Sequence, residues 1–462
     1  MSATCSVPVS ATRTTRRAAS VTRSGAIALS IRVLGAGGLL LSHIVLARSL
    51  GPAGFAEYSL AFAWAQILCV FAKLGIDNTV LRYIAEYTAK NELNKRAAII
   101  RDSTFASVIA AGLVSLGFSA VVLTYWNTIG VKLASCMLPA AAMIPLLSIR
   151  QIQEASLRSA GRLFESQIST ALWPVILFVL AGATWWLSSP AKPLSSSTAM
   201  MLHLVSILSM SALVLYFFLR SPLLRSPWRM NGQAIDDADR LAWARVAIAF
   251  LAAEILVVLK SRISIAIAGA TLVAHESAGL YSAMERFADV SILGSQSLGL
   301  VIAPQFASLY AAGRFTEMRR LVVQGQALCV AFTLPVAVGV ACFGDTIFTL
   351  IGRDYQPGYH VLIALLISAC IASFSGTSAY VLQMTGRERT LLAIMGLCAV
   401  VNVAISFLLI RPYGLLGLGF AQIATSLVWT IAVSVSLQQH PAWQSTPEIS
   451  TRTPEIKSEV PQ

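Results

Sequence analysis

Ten ionisable side chains fall within, or at the ends of, stretches apolar enough to cross a bilayer. They are the bases Arg32, Lys73, Lys260, Arg262 and Arg286 and the acids Glu57, Asp77, Glu254, Glu285 and Asp289. A charge at mid-bilayer costs about 2.5–3.5 kcal/mol even on a lenient insertion scale, so such residues should pair with one another or face water. Their spacing is helical. Gln66, Lys73 and Asp77 stand at i, i+7 and i+11, one stripe of one helix. Tyr281, Glu285, Asp289 and Gln296 form a second stripe, and Arg32 and His43 are eleven apart on a third. The simplest arrangement is a central polar cavity that could hold a charged or polar solute. A plainer reading stands beside it. Lys73 with Asp77, and Arg286 with Asp289, can neutralise each other at i, i+4 and i, i+3. Lys260 and Arg262 can snorkel to the outer surface, and His43 and His203 can be packing residues.

The elements that carry these stripes follow from composition. Of the 462 residues, 56% are hydrophobic and 12% charged, about half the charged share of a soluble domain. Windows of roughly 20 apolar residues give twelve expected spans: 25–47, 57–77, 99–123, 134–149, 166–187, 198–219, 244–268, 278–302, 321–344, 358–381, 390–410 and 414–437. The expected fold is an all-α membrane protein of two six-helix lobes. The halves repeat each other. A shift of 223 maps Tyr58 onto Tyr281, Ser59 onto Ser282, Tyr87 onto Tyr310 and Arg96 onto Arg319, and a shift of 225 maps Ala160-Gly161-Arg162 onto Thr385-Gly386-Arg387. An even number of spans per half sets the implied pseudo-twofold axis along the membrane normal. The charged stripes sit on spans 1, 2, 7 and 8, the equivalent spans of the two halves.

The expected organisation is a disordered basic tail (1–24), an N-terminal lobe (25–220), a cytoplasmic linker (221–243), a C-terminal lobe (244–437) and a disordered tail (438–462). With both termini in the cytoplasm, loop Lys and Arg number 24 inside, Arg150 among them, and 5 outside, a positive-inside pattern. The net charge of +13 then reflects loops facing anionic headgroups and calls for no nucleic acid. The segment 78–98 reads as an amphipathic surface helix, with Gln305–Arg320 as its partner in the second half. The seven cysteines form no CxxC pair, the five histidines have no ligand spacing, and no hydrolase, nucleotide-binding or metalloprotease motif occurs. Neither a cofactor nor an enzymatic activity is expected.

Several stretches resemble the polysaccharide flippases, the Wzx-type O-antigen and exopolysaccharide transporters of the multidrug/oligosaccharidyl-lipid/polysaccharide superfamily. They are Leu50-Gly51-Pro52-Ala53-Gly54-Phe55-Ala56-Glu57-Tyr58, Leu74-Gly75-Ile76-Asp77-Asn78, Leu81 to Tyr87, Gly279-Leu280-Tyr281-Ser282, Pro304 to Tyr310, Gln383 to Arg387 and Tyr413 to Gly419. The resemblance implies alternating access between two lobes in a bacterial inner membrane. It implies a substrate of undecaprenyl-diphosphate-linked oligosaccharide moved to the periplasmic leaflet, and leaves open H+ or Na+ coupling and contact with polysaccharide polymerase machinery. In that frame Arg32, Lys73, Arg286 and Arg262 become candidate contacts for a diphosphate. Gln66, Tyr281 and Trp64 become candidates for sugars, and Asp77, Glu254, Glu285 and Asp289 for ion coupling. A multidrug antiporter of the same superfamily and a membrane glycan polymerase or ligase are the alternatives.

Overall fold

The computed structural model describes residues 9–187, 194–221, 236–271, 276–440 and 443. The side chains of 9–33, 85, 89, 163, 259–261, 270, 271, 300, 301, 304, 307 and 311 lie outside that description. The expectations placed on the side chains of Arg32 and Lys260, on most of the linker and on nearly all of the C-terminal tail therefore fall outside it. Among the described residues every regular element is helical.

The first half begins with α1 (Val9–Lys73), two helices joined at Gly51, whose φ of 66° and ψ of 175° are not helical. Pro52 follows, and its ring and missing N–H end the first arm there. No Gly or Pro interrupts residues 9–24, and the helix runs through a stretch read from sequence as a disordered tail. Next come α2 (Ile76–Ala89), α3 (Leu93–Thr124), the single turn α4 (Trp126–Ile129), α5 (Val131–Ser159), α6 (Leu163–Leu187) and α7 (Ser196–Arg220). The second half contains α8 (Asp237–Thr271), α9 (Glu276–Ala311), α10 (Phe315–Cys342) and α11 (Gly344–Ile351). A 3-10 turn at Arg353–Gly358 leads to α12 (Tyr359–Ser373), α13 (Ser378–Met384), α14 (Glu388–Tyr413) and α15 (Leu415–Gln438). Among the described residues ten helices are long and apolar enough to cross a membrane. The break at Gly51 makes two crossings of one of them, and α9, 36 residues long, supplies the twelfth. On α3, Phe105, Leu113 and Leu116 are 67%, 66% and 71% exposed. Lipid is the solvent that such a face needs.

Boundaries differ from expectation where a helix runs through a charge or breaks within an apolar stretch. The fourth span, expected at 134–149, is a 29-residue helix that carries Pro139 and Pro145 and runs past Ile149 to Ser159, through Arg150 and Glu154. The tenth, expected at 358–381, splits between Ser373 and Ser378. The linker gives way to helix at Asp237, ahead of the expected 244. The surface helix expected over 78–98 is divided: α2 ends at Ala89, with Ile84 buried and Arg82 exposed, and α3 opens at Leu93 after the turn at Asn91. The partner segment in the second half is the end of α9 running into α10.

The repeat is visible in the backbone. Asn91 (φ 57°) and Gly313 (φ 68°) turn equivalent hairpins; Gly130 (92°) matches Gly352 (119°), and Gly161 (77°) matches Gly386 (79°). The hydrogen bonds correspond too: Glu92 N to Tyr87 O matches Arg314 N to Leu309 O, at 2.9 and 3.0 Å. On the axis itself the halves touch at equivalent residues. A Cβ on Gly279 would lie 2.8 Å from Ala56 N, and 279 is 56 plus 223. The gapless match from Tyr58 to Arg96 needs correction. From Ala56 to Asn91 is 35 positions, but from Gly279 to Gly313 is 34. The extra residue is absorbed where the first half breaks, at Leu74 (φ 56°) and Gly75 (φ 68°), while α9 runs on unbroken. Tyr87 and Tyr310 are therefore one residue out of register.

Candidate transport cavity

Helix α8 ties the lobes together and sets the position of the charges. Its first turns dock on the first half. Lys95 Nζ is 2.9 Å from Asp239 and Arg240 Nε 3.2 Å from Asp102, and Trp243 Nε1 donates to Tyr87 Oη at 2.8 Å. Higher up, α8 presses on the break after α1. A Cβ on Gly75 would run into Ala247 O and stand 2.6 Å from Leu251 N, so only glycine fits, and its φ is left-handed as well. That approach brings Glu254 to Lys73. The Lys73 ammonium sits 3.0 Å from Asp77 Oδ2 and 2.9 Å from Glu254 Oε2, and Asn78 Nδ2 donates to Glu254 Oε1 at 2.9 Å. Two carboxylates thus share one buried ammonium across the boundary between halves.

Beside this cluster opens a cavity of about 400 Å³ lined by Gln66, Lys73, Arg150, Gln151, Trp173 and Arg262, with Glu254 on its wall. Arg150 was counted from sequence as a cytoplasmic loop charge. It is 5% exposed, inside α5, 3.3 Å from Glu154 Oε1. Ser169 on α6 joins them, donating to Glu154 and accepting from Arg150 Nη1. The Arg150 Nε and the Gln66 Oε1 have no hydrogen-bond partner among the described residues. A buried donor and acceptor left open beside a cavity are poised for a solute or for water. The signal for Arg150 is present in the sequence as Arg150 and Glu154 at i, i+4, a helical continuation past the apolar window.

A narrow cleft lined by His43, Tyr58, Gln66, Arg262 and Arg286 continues from the cavity. Arg262 faces inward, 3.6 Å from Glu285, so it does not snorkel outward. Arg286 lies 3.3 Å from Asp289, as its i, i+3 spacing implied. His43 bonds Leu39 O at 2.8 Å, and His203 shares a 2.8 Å hydrogen bond with the Tyr58 hydroxyl. Both are buried. Trp173 stacks on His203 at 5.0 Å with rings 9° apart.

A second hollow, about 310 Å³, lies between the first arm of α1 and α9, with Gly35, Leu39, Gln167, Thr170, Leu293 and Gln296 among its walls. Part of its wall is related to the first by the repeat. The 223 shift carries Val70 to Leu293, Lys73 to Gln296, Gly35 to Val258 and Leu39 to Arg262, each member lining its own hollow. Trp173 lines both.

The structure thus brings Gln66, Lys73, Glu254 and Arg262 into one cavity, sets Asp77 against Lys73, and puts Arg286 on the adjoining cleft, with Glu285 facing Arg262 and Asp289 facing Arg286. Two aromatic expectations are not met there. Tyr281 is 1% exposed in the packed seam between the halves, and Trp64 is 36% exposed among the residues on the outer surface of α1. The aromatic wall is Trp173, which local sequence does not distinguish from other aromatics in spans. Two glycines of span 1 serve packing: a Cβ on Gly35 would lie 3.0 Å from Ala171 Cα, and on Gly38 3.2 Å from Val175 N, whereas one on Gly37 would meet open space.

Residues 21–310 match the family described as polysaccharide biosynthesis protein, and residues 247–408 match the MatE family. A putative O-antigen transporter of Shigella flexneri is 24% identical over 408 residues, 84% of this chain and 89% of that protein. The inward-facing conformation of a multidrug resistance MATE family transporter has the same fold, with a TM-score of 0.72 at 12% identity, over 90% of this chain and 98% of that one. The outward-facing conformation of such a transporter gives 0.60 at 13% identity, over 89% and 95%. The lipid II flippase MurJ in an inward closed conformation gives 0.65 at 12%, over 90% and 87%.

Proposed function

The chain belongs to the polysaccharide biosynthesis protein family, a multi-pass membrane transporter family of the multidrug/oligosaccharidyl-lipid/polysaccharide superfamily, and from that premise we propose that it flips an undecaprenyl-diphosphate-linked oligosaccharide from the cytoplasmic to the periplasmic leaflet of a bacterial inner membrane. The observation that carries this reading is the cavity holding Lys73, Arg150 and Arg262 together inside a lipid-facing helical bundle. A diphosphate crossing about 30 Å of hydrocarbon loses its hydration, and basic side chains replace part of it. The likeness to a putative O-antigen transporter supports the substrate class.

The pairing of the cavity charges adds a coupling step to the proposal. Among the described residues Lys73, Arg150, Arg262 and Arg286 each already face a carboxylate, and Lys73 faces two. The diphosphate must displace Glu254 and Asp77 from Lys73. A proton or Na+ taken up by the released carboxylates would keep the exchange neutral. Because Glu254 belongs to α8, its release also loosens the contact between halves, which is what alternating access requires. A gradient of H+ or Na+ across reconstituted vesicles should then change the flipping rate, and indifference to both gradients removes the coupling step.

The primary test is cellular. Cells lacking the protein should accumulate the undecaprenyl-linked oligosaccharide on the cytoplasmic face. Wild type should clear it, and Arg32→Ala, Lys73→Ala and Arg286→Ala should not at equal expression. Clearance by every variant would keep the flippase and discard these cavity roles. A second reading, export of organic cations, is favoured by the surplus carboxylate at Lys73 and by the MatE match. Drug sensitivity without glycolipid build-up in the deletion strain would establish it over the first.

A further inference from the structure

The two hollows are related by the repeat yet differ in chemistry, and Trp173 is the wall they share. The first presents Lys73, Arg150 and Arg262. At the twofold-equivalent places the second has Gln296 for Lys73 and Leu39 for Arg262, and adds Gln167, Thr170 and Ser297. Its described lining carries no formal charge. The amides of Gln167, half-buried on α6, and Gln296, exposed on α9, open into the hollow. Both can donate and accept. Amides, a hydroxyl and an indole are the groups that bind a neutral pyranose: the amides and hydroxyl reach its hydroxyls, and the aromatic face takes its C–H face. At about 310 Å³ the hollow is within the range of small-molecule sites. Trp173 is rigidly placed, held by its stack on the buried His203, which is fixed in turn by Tyr58.

We infer that the substrate is divided between the two hollows, with the diphosphate in the charged one and the carrier-proximal sugar in the neutral one, lying against Trp173 between them. The inference rests on the proposed flippase reading and names the sugar subsite of that cavity. It accounts for the loss of charge from one of two equivalent places. A cation opposite a neutral ring gains nothing and would be expensive to desolvate, whereas Gln296 can both donate and accept.

The experiment measures binding of two lipids to the purified full-length protein in detergent: undecaprenyl diphosphate, and undecaprenyl diphosphate bearing one N-acetylglucosamine. Wild type should bind the glycosylated lipid about tenfold more tightly than the bare one, the scale of one good aromatic contact plus a hydrogen bond. Trp173→Leu keeps the apolar packing on His203 but removes the aromatic face. Trp173→Leu and Gln296→Ala should each erase most of that difference, and Gln296→Ala, at a residue that lines only the neutral hollow, should keep bare-lipid affinity within about twofold, which also reports an intact fold. Trp173→Phe should keep part of the preference. Equal binding of the two lipids by wild type, or an equal loss for both lipids in the variants, overturns the sugar subsite and leaves the diphosphate reading in place. No binding of either lipid by wild type overturns both.

Discussion

The two hollows are a comparison built into one chain. They meet at Trp173, share repeat-equivalent positions on α1, α8 and α9, and differ in the charged side chains at those positions. The corners of the frame repeat in backbone angle, Asn91 with Gly313 and Gly161 with Gly386. The places that do chemistry do not repeat: Lys73 against Gln296, Arg262 against Leu39, a broken helix at Gly75 against an unbroken α9. A repeated scaffold can thus carry unlike side chains at equivalent inward-facing positions.

The largest expected effect tests whether charge in the first half is built in or incidental. Glu154→Ala leaves Arg150 buried without its carboxylate, and the loss should be about 3–5 kcal/mol of stability, read as a fall in thermal unfolding temperature in detergent. Asp289→Ala removes a partner whose side chain is 46% exposed and should change stability by no more than about 1 kcal/mol. Equal losses would end the contrast. The next effect concerns the break. Gly75→Ala puts a Cβ onto Ala247 O and into a left-handed conformation costing about 1–2 kcal/mol before any clash, and transport should fall more than tenfold. Ser297→Ala, at the matching level of α9, should leave the protein folded. A Gly75→Ala protein with wild-type transport would show that α8 does not need that close approach.

A charge exchange sharpens the view of Lys73. Lys73→Glu and Glu254→Lys should each abolish transport, and the double exchange should recover folding and part of the rate, with a coupling energy of about 1–3 kcal/mol in a double-mutant cycle of stability. Additive losses would mean that the two are neighbours without mutual dependence. The smallest effect tests the corners. Gly313→Asn copies the residue that already turns the equivalent hairpin at Asn91 and should shift stability by under about 0.5 kcal/mol. Gly313→Val should cost more, since a β-branched residue resists positive φ.

Much of this frame was legible in the sequence because hydropathy and spacing report helices directly. The i, i+4 step from Lys73 to Asp77 forecast their contact, although the two residues belong to different helices across the Gly75 break. What stayed hidden depends on which way a helix face turns once packed. Arg150 follows the apolar window, so a hydropathy reading ends the span one residue before it, whereas α5 continues to Ser159. Trp64, Tyr281 and Trp173 are all aromatics in spans, and nothing in their local periods separates the surface, the seam and the cavity wall. Glu254 could be seen as an intramembrane acid, but its partner sits 181 residues away, brought close only by the seating of α8 at Gly75.

The contact of Gly279 with Ala56 has a consequence for history. If the chain arose by fusing two copies of a six-helix ancestor, that ancestor was a homodimer in which this position touched its own copy across a symmetry axis. A bulky substitution there would have met itself, so the dimer could tolerate only the smallest side chains at that point. The fused descendant keeps both of them small, glycine on one side and alanine on the other.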